Sequence, residues 1–333
     1  MHLADRLDLP PGYVARPYRG RDDHPAMAAL LTEYRRAKGN PEMCLAEHLD
    51  RTYADLTDCD PALDIALIHH GGEPAAYCRP TFTLLGTGFT DLVVFTPILP
   101  DHLAKPLFDA VITAEQAHLR KWGDEAGQPR YRAYAGHPGP GEAPTGEAAW
   151  LEADGFVATE WGASLRRPDL DDIPDLPLPD GIEVRPVRPE QMREIALAHN
   201  HEFRDEWDFA ESDADDVSYV LDDPNTDHTL WQVAWDGDTV VGQVKPFINH
   251  AENEARGYLR GYTEYISTHS DYRNRGIAGA LLARALQAIK ERGMTEAVLG
   301  VDTNNPGGAF QLYTKLGFEL ESYEAVYTKP YTP

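Results

Sequence analysis

The most informative change of residue pattern lies between residues 262 and 282. Residues 262–268 alternate and are rich in β-branched and aromatic side chains, which predicts a strand. The apolar positions that follow recur at helical spacing and predict a helix with one apolar face, formed by Ala278, Leu281, Leu282, Ala285, Leu286 and Ile289. A strand is therefore expected to run into a helix through a short turn that contains Arg273, Arg275 and Gly276.

This predicted turn is a candidate phosphate site. The first N–H groups of a helix have no partner within the helix, and the helix dipole adds positive charge at the same end. Gly276 and Ala278 are small enough for an anion to approach the main chain, while Arg273 and Arg275 add charge.

Similar patterns predict strands and helices in both halves of the chain. In the first half, the predicted strands are 13–17, 65–70, 74–80, 91–97, 130–134 and 156–165, and the predicted helices are 27–34, 42–56 and 100–122. In the second half, the other predicted strands are 182–186, 231–235, 239–247, 296–301 and 318–328, and the other predicted helices are 190–199 and 306–316. Gly71-Gly72 and Asp236-Gly237 are typical of β-hairpins.

The two halves repeat one another. Three short matches occur in the same structural context and at a nearly constant spacing of 162 to 169 residues: Gly12 with Gly181, Tyr77 with Gln243, and Gly155 with Gly317. Between the halves, residues 168–181 contain four prolines and five aspartates, a composition that favours an extended linker. We therefore predict an α/β protein with a first domain at 1–167, a linker at 168–181 and a second domain at 182–333.

Composition narrows the classes of function. The net charge of −25 argues against nucleic-acid binding and suits a cationic partner, although acidic charge also serves solubility alone. No run of about 18 apolar residues predicts a membrane span, and the first ten residues lack an apolar signal core. Cys44, Cys59 and Cys78 show no metal spacing, and neither do the histidines. We expect a cytoplasmic protein without a metal.

Two motifs together resemble a known family. Arg273-x-x-Gly276-x-Ala278 between strand and helix is similar to the pyrophosphate signature of the GNAT acyl-CoA N-acyltransferases. The segment 304–318, with Tyr313 before Gly317-Phe318, resembles the end of the same fold. The repeat makes the chain similar to the tandem, mycothiol synthase-like branch. The resemblance implies two tandem GNAT domains, each a mixed, mainly antiparallel twisted sheet flanked by helices.

The resemblance also implies acetyl-CoA as the acyl donor and assigns its binding residues. The strand before the turn would bind the pantetheine arm and the turn would bind the pyrophosphate. The residues implied are Ile266, Ser267, Thr268, Arg273, Asn274, Arg275, Gly276, Ile277, Ala278, Gly279 and Asn305. The first half lacks the arginine–glycine turn at 96–106 and has Trp150-Leu151 where the second has Leu312-Tyr313. We expect this degenerate half to support the structure or to select the acceptor.

Two residues are candidates for proton transfer. Glu264 is expected on the same strand face as Ile266, but the family more often has its base glutamate at the position of Tyr262. Glu264 therefore acts directly, acts through water, or makes a structural or substrate contact; His269 is a weaker alternative base. Tyr313 matches the tyrosine that protonates the leaving thiolate, and its alternative is a packed aromatic.

The acceptor is expected to be a small amine. Asp205, Glu206, Trp207 and Asp208 lie where the resemblance places the acceptor site, and acids beside an aromatic suit a cation, although a solvated acidic loop has the same composition. The function predicted is N-acetylation of a primary amine of a cationic metabolite or antibiotic. A peptide or protein amine and a non-catalytic acyl-CoA sensor are the alternatives. We expect a monomer or homodimer.

Overall fold

The structure, a computed structural model, describes residues 1–38, 43–54, 56–85, 88–204, 213–215, 225–303 and 309–333. It contains two compact units. Unit 1 consists of Met1–Trp161 and Tyr323–Pro333, and unit 2 consists of Gly162–Ser322. Within the described residues, no helix has the length and apolar character needed to cross a bilayer.

Unit 1 contains both strands and helices. Its elements are β1 (Tyr13–Pro17), α1 (His24–Ala37), α2 (Ala46–Thr52), α3 (Pro61–Asp64), β2 (Ala66–His70), β3 (Glu73–Cys78), β4 (Thr81–Leu84), β5 (Thr90–Val93), α4 (Lys105–Gly123), β6 (Pro129–His137), α5 (Gly146–Ala153) and the first half of β7 (Val157–Arg167). Strands β1, β2 and β3 pair antiparallel. β4 and β5 pair antiparallel, while β5 and β6 pair parallel.

Unit 2 begins within β7 and contains the turn predicted above, which joins a strand to a long helix. Its elements are β8 (Glu183–Val184), α6 (Met192–Phe203), β9 (Gln232–Asp236), β10 (Thr239–Phe247), α7 (His250–Arg256), β11 (Arg260–Thr268), α8 (Ile277–Glu291), β12 (Glu296–Asp302), α9 (Ala309–Lys315) and the start of β13 (Glu319–Pro330). The sheet has the order β7-β12-β11-β10-β9-β8, and only β11 and β12 are parallel neighbours. The prediction of mixed, mainly antiparallel sheets with flanking helices is confirmed.

The core of unit 2 forms under α8. Leu281, Leu282 and Ile289 are fully buried on the apolar face that the helical spacing predicted. The helix lies close to the sheet at Gly261, where a Cβ would stand 2.7 Å from the Cδ1 atom of Ile289. Burial of each such leucine contributes about 1.5–3 kcal/mol, so this face holds α8 firmly against β10 and β11.

Each unit takes a strand segment from a distant part of the chain. Gly162–Arg167 of β7 pairs with β12 in unit 2, and Tyr323–Pro330 of β13 pairs with β6 in unit 1. The compact units therefore have other bounds than the predicted domains 1–167 and 182–333, because strand pairing between distant segments leaves no trace in a linear repeat. Residues 168–181 form no helix or strand, yet Leu170 is buried against the core of unit 2.

Several elements differ from their predictions. The helix predicted at 100–122 starts later, at Lys105 after a 3-10 turn at Pro100–His102, because Pro106 fits the first turn of a helix. The helix predicted at 42–56 is the shorter α2. Four of the described elements, α3, β4, α5 and α7, were not predicted. The start of α7 carries a recognisable signal, since the side chain of Asn249 accepts from the N–H of Glu252.

Candidate functional site

A β-bulge interrupts β11 just before the turn. Lys245 of β10 pairs with Glu264 and Gln243 pairs with Ser267, so β11 uses one residue more than β10 across this interval. Tyr265, within the bulge, has a positive φ of 54°. The extra residue reverses the alternation of side chains. Glu264 and Ile266 therefore lie on opposite faces, and the prediction that they share a face was wrong; Ile266 packs instead against the core under α8.

Strands β11 and β12 pair over a short distance only. Their parallel register covers Arg260 with Glu296 to Tyr262 with Val298, although β11 continues to Thr268 and β12 to Asp302. Over these described residues, β12 therefore forms no ladder with residues 263–268. The main chain of β11 beyond Tyr262 has an edge at which an extended, hydrogen-bonding ligand can take the place of a strand.

The turn after β11 leaves the start of α8 without a cap. A 3-10 turn at Ser270–Tyr272 leads to Asn274, which has a φ of 61°, and to Gly276, the N-cap residue, which has a φ of 86°. Glycine adopts this conformation without a steric penalty. Gly276 has no side chain with which to cap the helix, so the first N–H groups, which belong to Ile277, Ala278 and Gly279, have no partner within the helix.

The two arginines of the turn contact the protein itself. Arg275 donates from Nη2 to the carbonyl oxygen of Asp271 at 2.8 Å, and its guanidinium lies 4.8 Å from the ring centre of Tyr272. Arg273 donates from Nε to the carbonyl oxygen of Thr268 at 3.3 Å, and its Nη2 lies 3.6 Å from Oε2 of Glu202. Both side chains thus place positive charge at the turn and tie it to its surroundings.

Gly279 has a packing reason to be small. A Cβ at this position would lie 3.3 Å from Cδ1 of Leu312 in α9 and 3.4 Å from Cδ1 of Leu176. The contact brings α9 and the segment after β7 against the first turn of α8. A side chain at Gly279 would push this packing apart.

Lys245 and His199 are site residues that the sequence reasoning missed. The ammonium of Lys245 lies 5.0 Å from the ring centre of Trp231 and 5.6 Å from that of Tyr265, and burial lowers the pKa of Lys245 to about 8. Burial and the charge of Lys245 lower the pKa of His199 to about 4, so this imidazole is neutral at pH 7. The ring centres of His199 and Tyr265 lie 5.3 Å apart. These residues share the region of Glu264 only because α6 packs across β10 and β11.

A second carboxylate lies near the start of β11. Tyr262 occupies the position where the resembling family more often has its base, and its hydroxyl donates to Glu252 of α7 at 2.8 Å. Glu252 is fully buried and also accepts from Tyr258. Burial and the Glu252 charge raise the pKa of Tyr262, which keeps the phenol protonated. The sequence reasoning missed Glu252 because it missed α7.

Tyr313 lies in the core of unit 2. Its side chain, on α9, is 5% exposed, and its ring meets Phe318 edge-on at 6.2 Å. These surroundings match the alternative interpretation of Tyr313, that of an aromatic side chain packed in the core. The predicted acceptor residues Asp205, Glu206, Trp207 and Asp208, and the predicted pantetheine contact Asn305, lie outside the described residues.

At the corresponding place in unit 1, one main-chain donor bonds to a side chain of the protein itself. β5 occupies the position of β11, since each pairs parallel with the following strand after an intervening helix. The N–H of Phe95, just beyond β5, donates to the fully buried carboxyl of Glu115 at 3.0 Å. Burial raises the pKa of Glu115 well above its ordinary value. A side chain of α4 therefore takes a main-chain donor that a ligand would otherwise use.

Comparison with known proteins shows which family this part of the chain resembles. Residues 192–318 match the acetyltransferase (GNAT) family. The chain is 32% identical over 157 residues to a mycothiol acetyltransferase of Salinispora tropica, covering 46% of this chain and 50% of the relative. It is 27% identical over 258 residues to a mycothiol acetyltransferase of Salinispora arenicola, covering 76% of each. A 63-residue segment is 41% identical to the N-alpha-acetyltransferase MAK3 of Arabidopsis thaliana, covering 19% of this chain and 33% of the relative.

Solved structures extend the likeness to the whole fold. A GCN5-related N-acetyltransferase from Sphaerobacter thermophilus superposes with a TM-score of 0.73 at 21% identity and covers 98% of both chains. A tandem GNAT protein from the clavulanic acid biosynthesis pathway gives 0.68 at 16% identity, covering 96% of this chain and 99% of that one. The chain spans only a third and a half, respectively, of the lengths of the MAK3 and Salinispora tropica relatives. Residues 192–318 are thus similar to the GNAT acetyltransferases, and the chain has the fold of a tandem GNAT protein.

Proposed function

We propose that the protein transfers an acetyl group from acetyl-CoA to a primary amine of a small molecule. The observation that carries this proposal is the N-terminus of α8, which follows Gly276 directly and comes soon after the part of β11 that forms no ladder with the described residues of β12. This pair of features provides donors for a pyrophosphate and a main-chain edge for an amide-bearing arm. The match of residues 192–318 to the acetyltransferase (GNAT) family supports the same function.

The cofactor contacts follow from this geometry. The N–H groups of Ile277, Ala278 and Gly279 would bind pyrophosphate oxygens, with Arg275, Arg273 and Asn274 at the rim of the turn. The main chain of Ile266, Ser267 and Thr268 would bond the pantetheine arm, and Asn305 would lie near that arm. Acetyl-CoA supplies an activated thioester. Unit 1, whose equivalent donor is taken by Glu115, would support the fold or select the acceptor.

Glu264 and Tyr313 are the proposed proton-transfer residues. Glu264 would take the proton of the acceptor ammonium, directly or through water, so that the amine nitrogen bonds to the acetyl carbon as the carbon–sulfur bond breaks. A main-chain N–H near Ile266 would stabilise the developing oxyanion. Tyr313 would give its phenolic proton to the departing thiolate. The bulge supports Glu264 as base in one respect, because it places this carboxylate on the face opposite α8, together with Lys245.

Lys245 adds a requirement on the acceptor. Among the residues that the structure describes, none forms an ion pair with its ammonium, and two aromatic rings enclose it. A buried unpaired charge is costly unless a ligand pairs with it. We therefore propose an acceptor that carries an anionic group near its amine, in addition to the cationic groups that Asp205, Glu206, Trp207 and Asp208 would attract.

A thiol-release assay with acetyl-CoA tests the function. The acceptor panel contains aminoglycosides, polyamines, peptides, amino acids and the matching amino-acid amides. Turnover of a small amine supports the proposal, and faster turnover of an amino acid than of its amide supports the role of Lys245. Turnover of peptides alone would favour the peptide acceptor, for which the MAK3-like segment is the specific observation. Saturable acetyl-CoA binding without turnover of any amine would favour an acyl-CoA sensor and refute the proposed enzymatic activity.

A further inference from the structure

Three possible metal ligands meet between α6 and the turn that follows β11. His201 and Glu202 lie near the end of α6, and His269 directly follows β11. One ligand atom from each side chain lies within 4.8 Å of those of the other two. The imidazole rings of His201 and His269 stack with 5.2 Å between their centres and 10° between their planes. The sequence shows no ligand spacing here because residues 201 and 269 are far apart in the chain.

Glu202 is an unusual carboxylate for its position. Its side chain is only 5% exposed, and neither oxygen has a hydrogen-bond partner among the described residues. Burial raises the pKa of Glu202. The basic groups beside it are Nη2 of Arg273 at 3.6 Å and Nε2 of His201 at 3.7 Å, both beyond hydrogen-bond distance. A buried carboxylate without donors is stabilised by a cation that reaches both the oxygen and the neighbouring imidazoles.

We propose that His201, Glu202 and His269 form a binding site for a divalent transition metal, with Zn²⁺ as the best match. Two imidazoles and one carboxylate are a ligand set that zinc uses in proteins, with a fourth position for water. Because the three ligand atoms lie no more than 4.8 Å apart, some point lies within about 2.8 Å (4.8/√3) of all three, and an ion could occupy it. Zinc–ligand bonds are about 2.0–2.2 Å long, so each ligand atom needs to move by less than about 1 Å.

Arg273 would compete with a metal ion for the carboxylate of Glu202. Its guanidinium contacts the carboxylate of Glu202, and a divalent ion at Glu202 would repel it. Coordination through Nε2 of His269 also requires the proton on Nδ1, which would end the 3.3 Å contact from the N–H of Asp271 to Nδ1. The site therefore predicts that removal of the Arg273 charge strengthens metal binding, the reverse of the effect of removing a ligand.

Titration of the tag-free full chain with Co²⁺, followed by displacement with Zn²⁺, tests the proposal. The visible absorption of Co²⁺ reports coordination and does not depend on enzyme activity. We expect His201→Ala and His269→Ala each to weaken binding at least about tenfold, and Arg273→Gln to strengthen it severalfold. His70→Ala is the matched control, because His70 lies 5.3 Å from His102 in another histidine pair, in unit 1, and should leave binding unchanged.

Thermal melts of every variant without metal check that each one is folded. Absence of saturable Co²⁺ binding by the unmutated chain would overturn the proposal. Binding that His201→Ala and His269→Ala leave intact, or that His70→Ala weakens as much as they do, would assign the ion to another place and overturn it equally.

Discussion

Two glycines at the ends of α8 offer a matched test of the cofactor turn. Gly276, at the N-cap, has a φ of 86°, and Gly293, just after the helix, has a φ of 87°. A Cβ at either position would meet no atom within 4 Å, so alanine there costs conformational energy without a clash. That cost is about 1–2 kcal/mol for a left-handed backbone. Only Gly276 precedes the N–H groups proposed to bind pyrophosphate.

The two alanine variants should therefore lose similar stability but differ in cofactor affinity. A loss of 1–2 kcal/mol lowers Tm by about 2–8 °C in a unit of this size. A strained N-cap at residue 276 misaligns donors to a charged ligand, and each such hydrogen bond contributes about 1.5–3 kcal/mol. We expect Gly276→Ala to raise the KM for acetyl-CoA roughly ten- to hundredfold and Gly293→Ala to leave it within about twofold.

Thermal melts and thiol-release kinetics at varied acetyl-CoA concentration measure both quantities. The reasoning about the turn fails if Gly276→Ala keeps the wild-type KM despite its expected loss of stability. It fails as well if Gly293→Ala raises the KM to the same extent, since the effect would then come from a weakened helix.

Four further predictions concern single side chains. Tyr313→Phe should lower kcat by about 10²-fold or more with little change in KM if the phenol protonates the thiolate, and a lowered Tm with unchanged kcat would leave it a packing residue only. Glu264→Gln should lower kcat and remove the acidic limb of its pH profile, whereas a rise in acceptor KM alone would make Glu264 a substrate contact. Burial lowers the pKa of Lys245 to about 8, so above that pH the unfolded chain binds more protons than the folded chain, and the free energy of unfolding should rise from pH 8 towards 10. In urea melts, Lys245→Met should remove this rise and should be more stable than the unmutated protein at pH 7. His199, with a pKa of about 4, should make stability fall as the pH drops from about 6.5 to 4, and His199→Phe should flatten that fall in the same melts.

The elements that could be predicted are those with local causes. The apolar face of α8 is visible in the spacing of Leu281, Leu282 and Ile289, and burial confirms it. The glycine pair at 71–72 predicts the hairpin between β2 and β3, in which His70 pairs with Glu73. Such features depend on the conformational preferences of neighbouring residues, which a linear pattern contains.

The errors share a different cause. The bulge at Tyr265 moves Glu264 and Ile266 to opposite faces of the strand. The residue types in β11 do not predict this bulge, because a tyrosine rarely adopts a positive φ. Glu252 reaches Tyr262, and His199 reaches Tyr265, from helices that are adjacent only in the folded unit. A pattern read along one element cannot show the side chains that other elements bring to it.

The sequence by itself determined the α/β class, the repeat and the place of the turn at 273–276, because a strand, a small-residue turn and an amphipathic helix each follow from local steric preference and burial. Only the tertiary structure decided which groups surround that turn. Packing of α6 across β10 and β11 brought Lys245 and His199 beside Glu264, and it brought His201 and Glu202 to His269. These contacts join residues far apart in the chain, and their energies depend on burial and charge that exist only after folding.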